Sequence, residues 1–590
     1  MRNLLKKTFA LPGTARLDNA LKNFTVGEAA LFYLFVAAMT LSTLLIFAEA
    51  NDTLSVTVPS SGGKIVEGTV GSPRFINPLL AISDADRDIT ALTFSGLLRA
   101  TPFGELTTDL AEKYEISPDG LTYTVTLKED AVFHDGKPIS ADDVIFTVGK
   151  AKDPSIKSPK RAEWEGVTAE KISDKVVAFH LPRQYFPFVE NLTLGIIPKH
   201  FWTEVGTDEF SFSLKNINPV GSGPYKIFKI ESNEGIPTSY ELHSFSKYVG
   251  GKPFISTIIM NVYGSESELI AAWKAKAIES MGGISPQETE EMKMLGARVE
   301  TLNLPRVYGI FFNQNQAAIF IDKNVRDALD KSIDKEALIE DVLKGYGTVL
   351  TGPLPEDIKG QKILTQTSGT STPNTTGTTT DKMGESRKLL EKSGWKLNEE
   401  TKIYEKTDKK TKTTQILSFS LFAPNVPELK DAANFVIQSW KELGASVELK
   451  LFELSDLSQN IIRPRKYDAL LFGEVIGRNP DLFAFWHSSQ RNDPGYNIAM
   501  YTNSKVDQML NEARIAKNQQ EQEEILRNID SEIKKDTPAI FLYTPDYLYV
   551  LPPSIKGFSG GSIASPGERF AEIKDWFIEN EKVWEVFTKY

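Results

Sequence analysis

Apolar and polar side chains alternate over residues 121–127 (LTYTVTL), with β-branched and aromatic types prominent, and this period of two predicts a half-buried strand. Asp135-Gly136 then turns the chain. Ser140 is placed to cap a helix, with Asp142 and Asp143 in the first turn at the positive end of the dipole and Val144, Ile145 and Val148 on one face. Residues 64–70 (KIVEGTV) read as another strand, and Asp334 and Gly345 as the cap and the stop of a further helix.

The pattern changes character near the N-terminus. Residues 27–48 carry Glu28 as their only charge and are long enough to cross a hydrocarbon core of about 30 Å as a helix. Arg2, Lys6, Lys7, Arg16 and Lys22 precede this run with only Asp18 against them, which holds residues 1–26 in the cytoplasm and sends the remainder outside. Ala48-Glu49-Ala50 has the small-x-small form of a processing site, but the apolar run exceeds the usual signal core of about 7–15 residues, so an uncleaved anchor is expected. Residues 49–61 are expected to be a linker, of which the polar tether 51–61 reaches at most roughly 35–40 Å and keeps the folded body close to the membrane. A second polar tract, residues 365–380, offers no apolar side chains to bury and is expected to be a disordered surface insertion.

Composition narrows the partners. A chain of 590 residues exceeds what one core usually serves, and 41% hydrophobic with 25% charged residues is ordinary for folded protein. The net charge of -11 argues against nucleic acid, which needs clustered cations. With no cysteine, the chain has no disulfide, thiolate metal site, cysteine nucleophile or lipid anchor on a cysteine.

Residues 133–147 (FHDGKPISADDVIFT) resemble the signature F-x-D/N-G-x-P-(hydrophobic)-(S/T)-A-x-D-V-x-(F/Y) of extracytoplasmic solute-binding proteins, family 5, the peptide/nickel class that serves ABC transporters. Residues 71–78 (GSPRFINP) are similar to that family's opening turn, and 220–225 (VGSGPY) to its G-(S/T)-G-P-Y turn, where glycines permit positive φ and proline fixes the exit. Further similar elements follow in order at 309–313 (GIFFN), 325–329 (VRDAL), 333–338 (IDKEAL), 479–486 (NPDLFAFW), 503–507 (NSKVD) and 537–542 (TPAIFL), so the resemblance runs from Gly62 nearly to the C-terminus.

The resemblance implies an α/β fold of the periplasmic-binding-protein-like class II, a large three-domain Venus flytrap of two lobes, here behind an N-terminal transmembrane helix. The first lobe would comprise residues 62–304 and 545–590 with an inserted domain at 102–217, and the second lobe residues 305–544. A closed form that contacts ligand from both sides would dock on ABC permease subunits, with the chain acting as a monomer at the outer face of the cytoplasmic membrane. The resemblance directs Ser72, Arg74, Phe75, Tyr308, Phe311 and Asn313 towards the cleft, Phe311 being equally readable as a core side chain of a sheet. Peptide-binding members place an Asp four residues before the proline of the D-P element to pair with the peptide amino group. Here that position is Ile476, while Glu474 and Asp481 lie nearby without matching it, which weakens a claim of free-amino-terminus peptides. Arg478 in the same loop would favour an anionic group, its bland reading being an exposed loop arginine.

Catalytic and metal patterns do not emerge. There is no H-E-x-x-H, G-x-S-x-G, Walker A or G-x-G-x-x-G, and His134, His180, His200, His243 and His487 show no close pairing. Glu163 and Glu165 flank Trp164, but spacing along a chain does not define a pair of catalytic carboxylates across a cleft. No enzyme, cofactor or metal is therefore expected. The rival readings are a membrane-tethered sensor of the same fold, against which the 26 residues before the apolar run leave little room for a signalling domain, and a cleft-based hydrolase.

Overall fold

The computed structural model describes residues 24–355, 381–408 and 410–587, so the Thr-rich tract 365–380 and the first 23 residues lie outside the described part. The chain divides into two compact units, residues 1–60 with 579–590, and residues 61–578.

In the smaller unit the apolar run forms a single helix, Val26–Leu54, opened by a capping box between Thr25 and Glu28. None of its residues is buried. The expected linker is structured over most of its length: the helix continues six residues past Ala48, and the strand Ser55–Pro59 pairs antiparallel with Asn580–Trp584. The C-terminal residues, expected in the first lobe, are therefore grouped with the N-terminal helix. Val56, Val58 and the facing Val583 supply the β-branched positions that polar composition alone concealed.

In the larger unit one mixed sheet runs through the molecule. Its path starts with Ser446–Phe452, Ser418–Pro424, Ala469–Val475 and Arg306–Phe312, reaches Ala539–Leu551, and continues through Ser280–Gly282, Gly62–Val70, Ile255–Tyr263, Ile236–Ser244 and Tyr225–Asn233. Ala539–Leu551 is the shared element. Its first part pairs with Arg306–Phe312 and its last with Arg298–Asn303, so the chain crosses between two halves at Leu304-Pro305 and again at Thr544-Pro545. Thr544 donates its hydroxyl to the carbonyl of Arg306 at 2.6 Å, which ties the two crossings together.

Alternation builds the second half's core. Tyr308, Ile310 and Phe312 pack on one face of the sheet with Trp440 and Leu421, while Val307 and Phe311 pack on the other with Leu470 and Trp486. In the first half, the inserted strands Ala111–Ile116, Thr122–Leu127, Thr168–Ser173 and Val176–His180 form a separate sheet whose Tyr123 and Val125 share a core with Ile65 and Ile258.

The strand, turn and helix at 121–152 follow the sequence pattern. Thr122–Leu127 is a strand, Gly136 has φ +85, and Asp143 accepts from both the amide and the hydroxyl of Ser140 at the head of Ala141–Lys152. His134 is a structural residue here, its Nε2 lying 3.1 Å from the Gly223 carbonyl, and burial pulls its pKa down to about 4. The glycines of residues 220–225 serve a different purpose from the one their motif suggests. Neither Gly221 nor Gly223 has positive φ; a Cβ at Gly221 would lie 1.9 Å from the Thr93 carbonyl oxygen. Close approach to a helix end, not turn geometry, demands glycine there.

The first half is held by one buried guanidinium. Arg569, 1% exposed, donates to both oxygens of Asp88 (2.6 and 2.8 Å) and to Glu67 (2.7 Å), and Glu67 also accepts from Tyr549 and Ser280. These bonds join the strand Gly62–Val70, the helix Asp84–Thr93, the shared long strand and the segment around Arg569. Burial pushes the Asp88 carboxyl upward against the pull of Arg569. Removing the cation strands two buried carboxylates, so Arg569→Ala is expected to cost about 3–5 kcal/mol in urea unfolding of the large unit, and an unchanged midpoint would contradict this.

Candidate functional site

The two halves meet around a cleft of about 690 Å³. From the second half it is lined by Arg306, at the start of its strand, and by Val475, Arg478 and Asn479 at and beyond the end of the neighbouring strand. From the first half it is lined by the helix Asp84–Thr93 through Arg87 and Thr90, by the inserted region through Lys160, Glu163 and Glu190, and by Glu568. Position follows from connectivity: Arg306 comes immediately after the crossing at Pro305, and the amide of Ile476 donates to the Pro305 carbonyl at 3.1 Å.

Arg478 spans the cleft. Its Nη1 donates to Glu190 at 2.9 Å and its Nη2 to Glu568, leaving the side chain 10% exposed. The expectation of an exposed loop arginine is thus replaced by a buried bridge between second-half and first-half walls. Burial pushes the Glu190 carboxyl upward and Arg478 pulls it back down. A second bridge lies alongside: Tyr185 donates to Asp481 at 3.1 Å, and Asp481 is gripped by Arg514, whose guanidinium sits 3.7 Å from the centre of the Phe483 ring. Charge-assisted bonds of this kind, partly shielded from water, join the two halves across the cleft.

Polar groups without partners also face or flank this space. Among the described residues, Arg306 Nε and Asn479 Oδ1 are buried with no hydrogen-bond partner, and both residues line the cleft. Glu474 is more extreme: it is 3% exposed, both carboxylate oxygens are unpartnered, and it sits opposite Val307 on the apolar face shared with Leu470 and Phe472. Burial alone raises its pKa well above 4.5.

The other residues singled out from sequence are distributed differently. Arg478 lines the cleft and Asp481 bridges beside it. Tyr308 stacks on Tyr543, ring centres 5.3 Å apart, and Tyr543 donates to Glu428. Phe311 is fully buried against Trp486, and Ile476 is buried in the same core. Asn313 organises a turn, its Nδ2 donating to the Arg465 carbonyl and its Oδ1 accepting from the amides of Asn315 and Gln316. Ser72, Arg74 and Phe75 do not line the cleft; Asp86 accepts from the amides of Arg74 and Phe75, Arg74 is exposed, and Phe75 packs on the first-half core. Burial explains the core placements: an aromatic in an alternating strand goes where its pleat points. Lys160, Glu190, Arg306 and Glu568 escaped sequence reading, since they come together from four distant segments. Arg306 alone had a signal, its place next to the crossing proline.

A mixed sheet crossed twice by the chain, with a charged cleft at the crossing, is the class II periplasmic-binding-protein fold. The chain belongs to the bacterial extracellular solute-binding proteins, family 5, whose middle region it matches over residues 105–497. It is 26% identical over 536 residues to the oligopeptide-binding protein AppA of Bacillus subtilis (strain 168), covering 88% of this chain and 92% of that protein. The crystal structure of the ABC transporter substrate-binding protein CtaP from Listeria monocytogenes superposes with a TM-score of 0.72 at 25% identity, covering 88% of this chain and 100% of that one. The structure of NikZ from Campylobacter jejuni in complex with Ni(L-His) gives 0.67 at 25% identity, covering 87% and 99%. The protein is therefore an extracytoplasmic, non-enzymatic substrate-binding component of an ABC transporter.

Two outcomes follow. Arg478→Ala should favour an open arrangement, read by pulsed electron resonance between spin labels on cysteines introduced at the exposed Phe103 and Ile515 as a longer and broader distance distribution. An unchanged distribution would show that the bridge does not hold the halves. For Glu474 the sign is fixed by burial: its folded pKa lies above its ordinary value of 4.5, so ionisation favours the unfolded chain, with no penalty below about pH 4.5, a growing one as pH rises from there towards the folded value, and a constant one above it. Glu474→Leu should accordingly raise stability at neutral pH by about 1–3 kcal/mol, the gain shrinking towards pH 4 in parallel urea titrations.

Proposed function

We propose that this chain is the membrane-anchored receptor of an ABC importer, taking up oligopeptides or related small zwitterionic solutes and presenting them to permease subunits. The observation that carries the reading is the cleft at the double crossing, walled by both halves and bridged by Arg478. Its volume is in the range of about 300–1,000 Å³ usual for small-ligand sites.

Arg306, Arg478 and Asn479 hold the solute from one wall, and Lys160, Glu190 and Glu568 from the other. Charges of both signs, with a donor on Arg306 and an acceptor on Asn479 that have no partner among the described residues, suit a ligand that carries its own donors and acceptors along its length, as a peptide backbone does. AppA of Bacillus subtilis, 26% identical, has been crystallised with a nonapeptide, whereas NikZ holds Ni(L-His), so peptide and amino-acid chemistry recur among the similar proteins. The helix Val26–Leu54 remains attached and tethers the protein with residues 1–26 inside; its length and apolar character support this.

Native mass spectrometry of gently purified protein, followed by denaturing release, tests the ligand class. A family of peptide masses is expected, together with a rise in melting temperature when the emptied protein is refilled. A single metal chelate or a non-zwitterionic solute would overturn the peptide reading while leaving the transporter assignment in place.

A further inference from the structure

The C-terminal strand has a bonding pattern that the binding cleft does not require. Asn580–Trp584 pairs with Ser55–Pro59 in the register Ser55 to Trp584, directly beyond the end of the apolar helix. Two side chains then reach back onto the helix itself: the Trp584 indole Nε1 donates to Asn51 Oδ1 at 2.7 Å, and Lys582 pairs with Asp52. Within the apolar run the helix satisfies its threonine hydroxyls internally, Thr40 donating to the Val36 carbonyl at 2.8 Å and Thr43 to that of Met39 at 2.7 Å, as a lipid environment favours.

Helix rise sets a depth. At 1.5 Å per residue, Asn51 stands about 5 Å beyond Ala48, the last residue of the apolar run. A headgroup layer is roughly 5–8 Å thick on each side of the hydrocarbon core, so Asn51, and the indole bonded to it, fall within that layer. Trp584 is 44% exposed with its N–H already satisfied, and Val586, two residues on, is 69% exposed. An aromatic body with a polar edge is the side chain that membrane–water boundaries select.

We propose that the C-terminal strand and the helical turn that follows it form a second membrane contact, with Trp584 and Val586 seated in the lipid headgroup layer and the strand locked there through the Trp584–Asn51 and Lys582–Asp52 bonds. The inference rests on the reading of Val26–Leu54 as a retained anchor. Strand pairing and the two side-chain bonds make the segment after the helix a short stiff post, with residues 580–584 returned to the bilayer surface.

The absence of cysteine from the chain makes the test direct. The full chain carrying Val586→Cys with a nitroxide label is placed in phosphatidylcholine nanodiscs, and collision with dioxygen is compared with collision with a water-soluble nickel(II) complex. Leu41→Cys, in the middle of the helix, serves as the deep reference and free label in buffer as the aqueous one. The proposal expects several-fold lower nickel accessibility at 586 than in the free label, and a return towards the aqueous value when Trp584→Ala is added. A 586 label as accessible as the free label, with a deep label at 41, would overturn the interfacial contact and leave the anchor intact. Loss of the residues before Asn51 from the mature chain, seen by intact mass, would overturn the anchor and this proposal together.

Discussion

The placement of a single cation, Arg569, underlies much of the binding architecture. Its guanidinium is almost completely buried and shared between Asp88 and Glu67, so three segments far apart in sequence hold one arrangement or leave a charge unpaired in the interior. Both ends of this clamp border the cleft. Asp88 lies on the helix whose Arg87 and Thr90 form part of the wall, and Glu568, the residue before Arg569, is one of the two carboxylates that receive Arg478. Rigidity in the first half is thereby passed to the residues that meet the second half.

The second half contributes through its strand ends. Tyr308, Ile310 and Phe312 face one core and Val307 and Phe311 the other, so Arg306 is left at the lip where the chain has just crossed. The Arg478 bridge and the Tyr185–Asp481–Arg514 group then span the gap with charge-assisted bonds that carry no large apolar interface. Such contacts form and break with less free energy than a packed core. Glu474 stands apart from this economy, an acid held on an apolar face without a hydrogen-bond partner among the described residues.

Local grammar made much of the fold legible. The alternation in residues 121–127, the Ser140–Asp143 pair, the Asp334 cap and the 27–48 run each specify an element through interactions within a few residues, and each element forms there, the helix of the 27–48 run continuing to Leu54. The expectation of a free linker at 49–61 missed the strand because its partner, Asn580–Trp584, lies more than 500 residues away. The cleft was least legible. Glu190, Arg306, Arg478 and Glu568 become neighbours only through the double crossing, while Phe311 and Asn313, which sit in recognisable motifs, serve packing and a turn. Motifs in this chain record how the scaffold is built; the surface that meets solute is assembled from residues between them.

Hydrogen exchange of the solute-loaded against the emptied protein reports on both walls of the cleft at once. Slower exchange on loading is expected in three segments together, residues 190–195, 475–479 and 564–568, with the cores of the two halves unchanged. Protection confined to one half, or appearing only away from these segments, would contradict a cleft that closes on its solute from both sides.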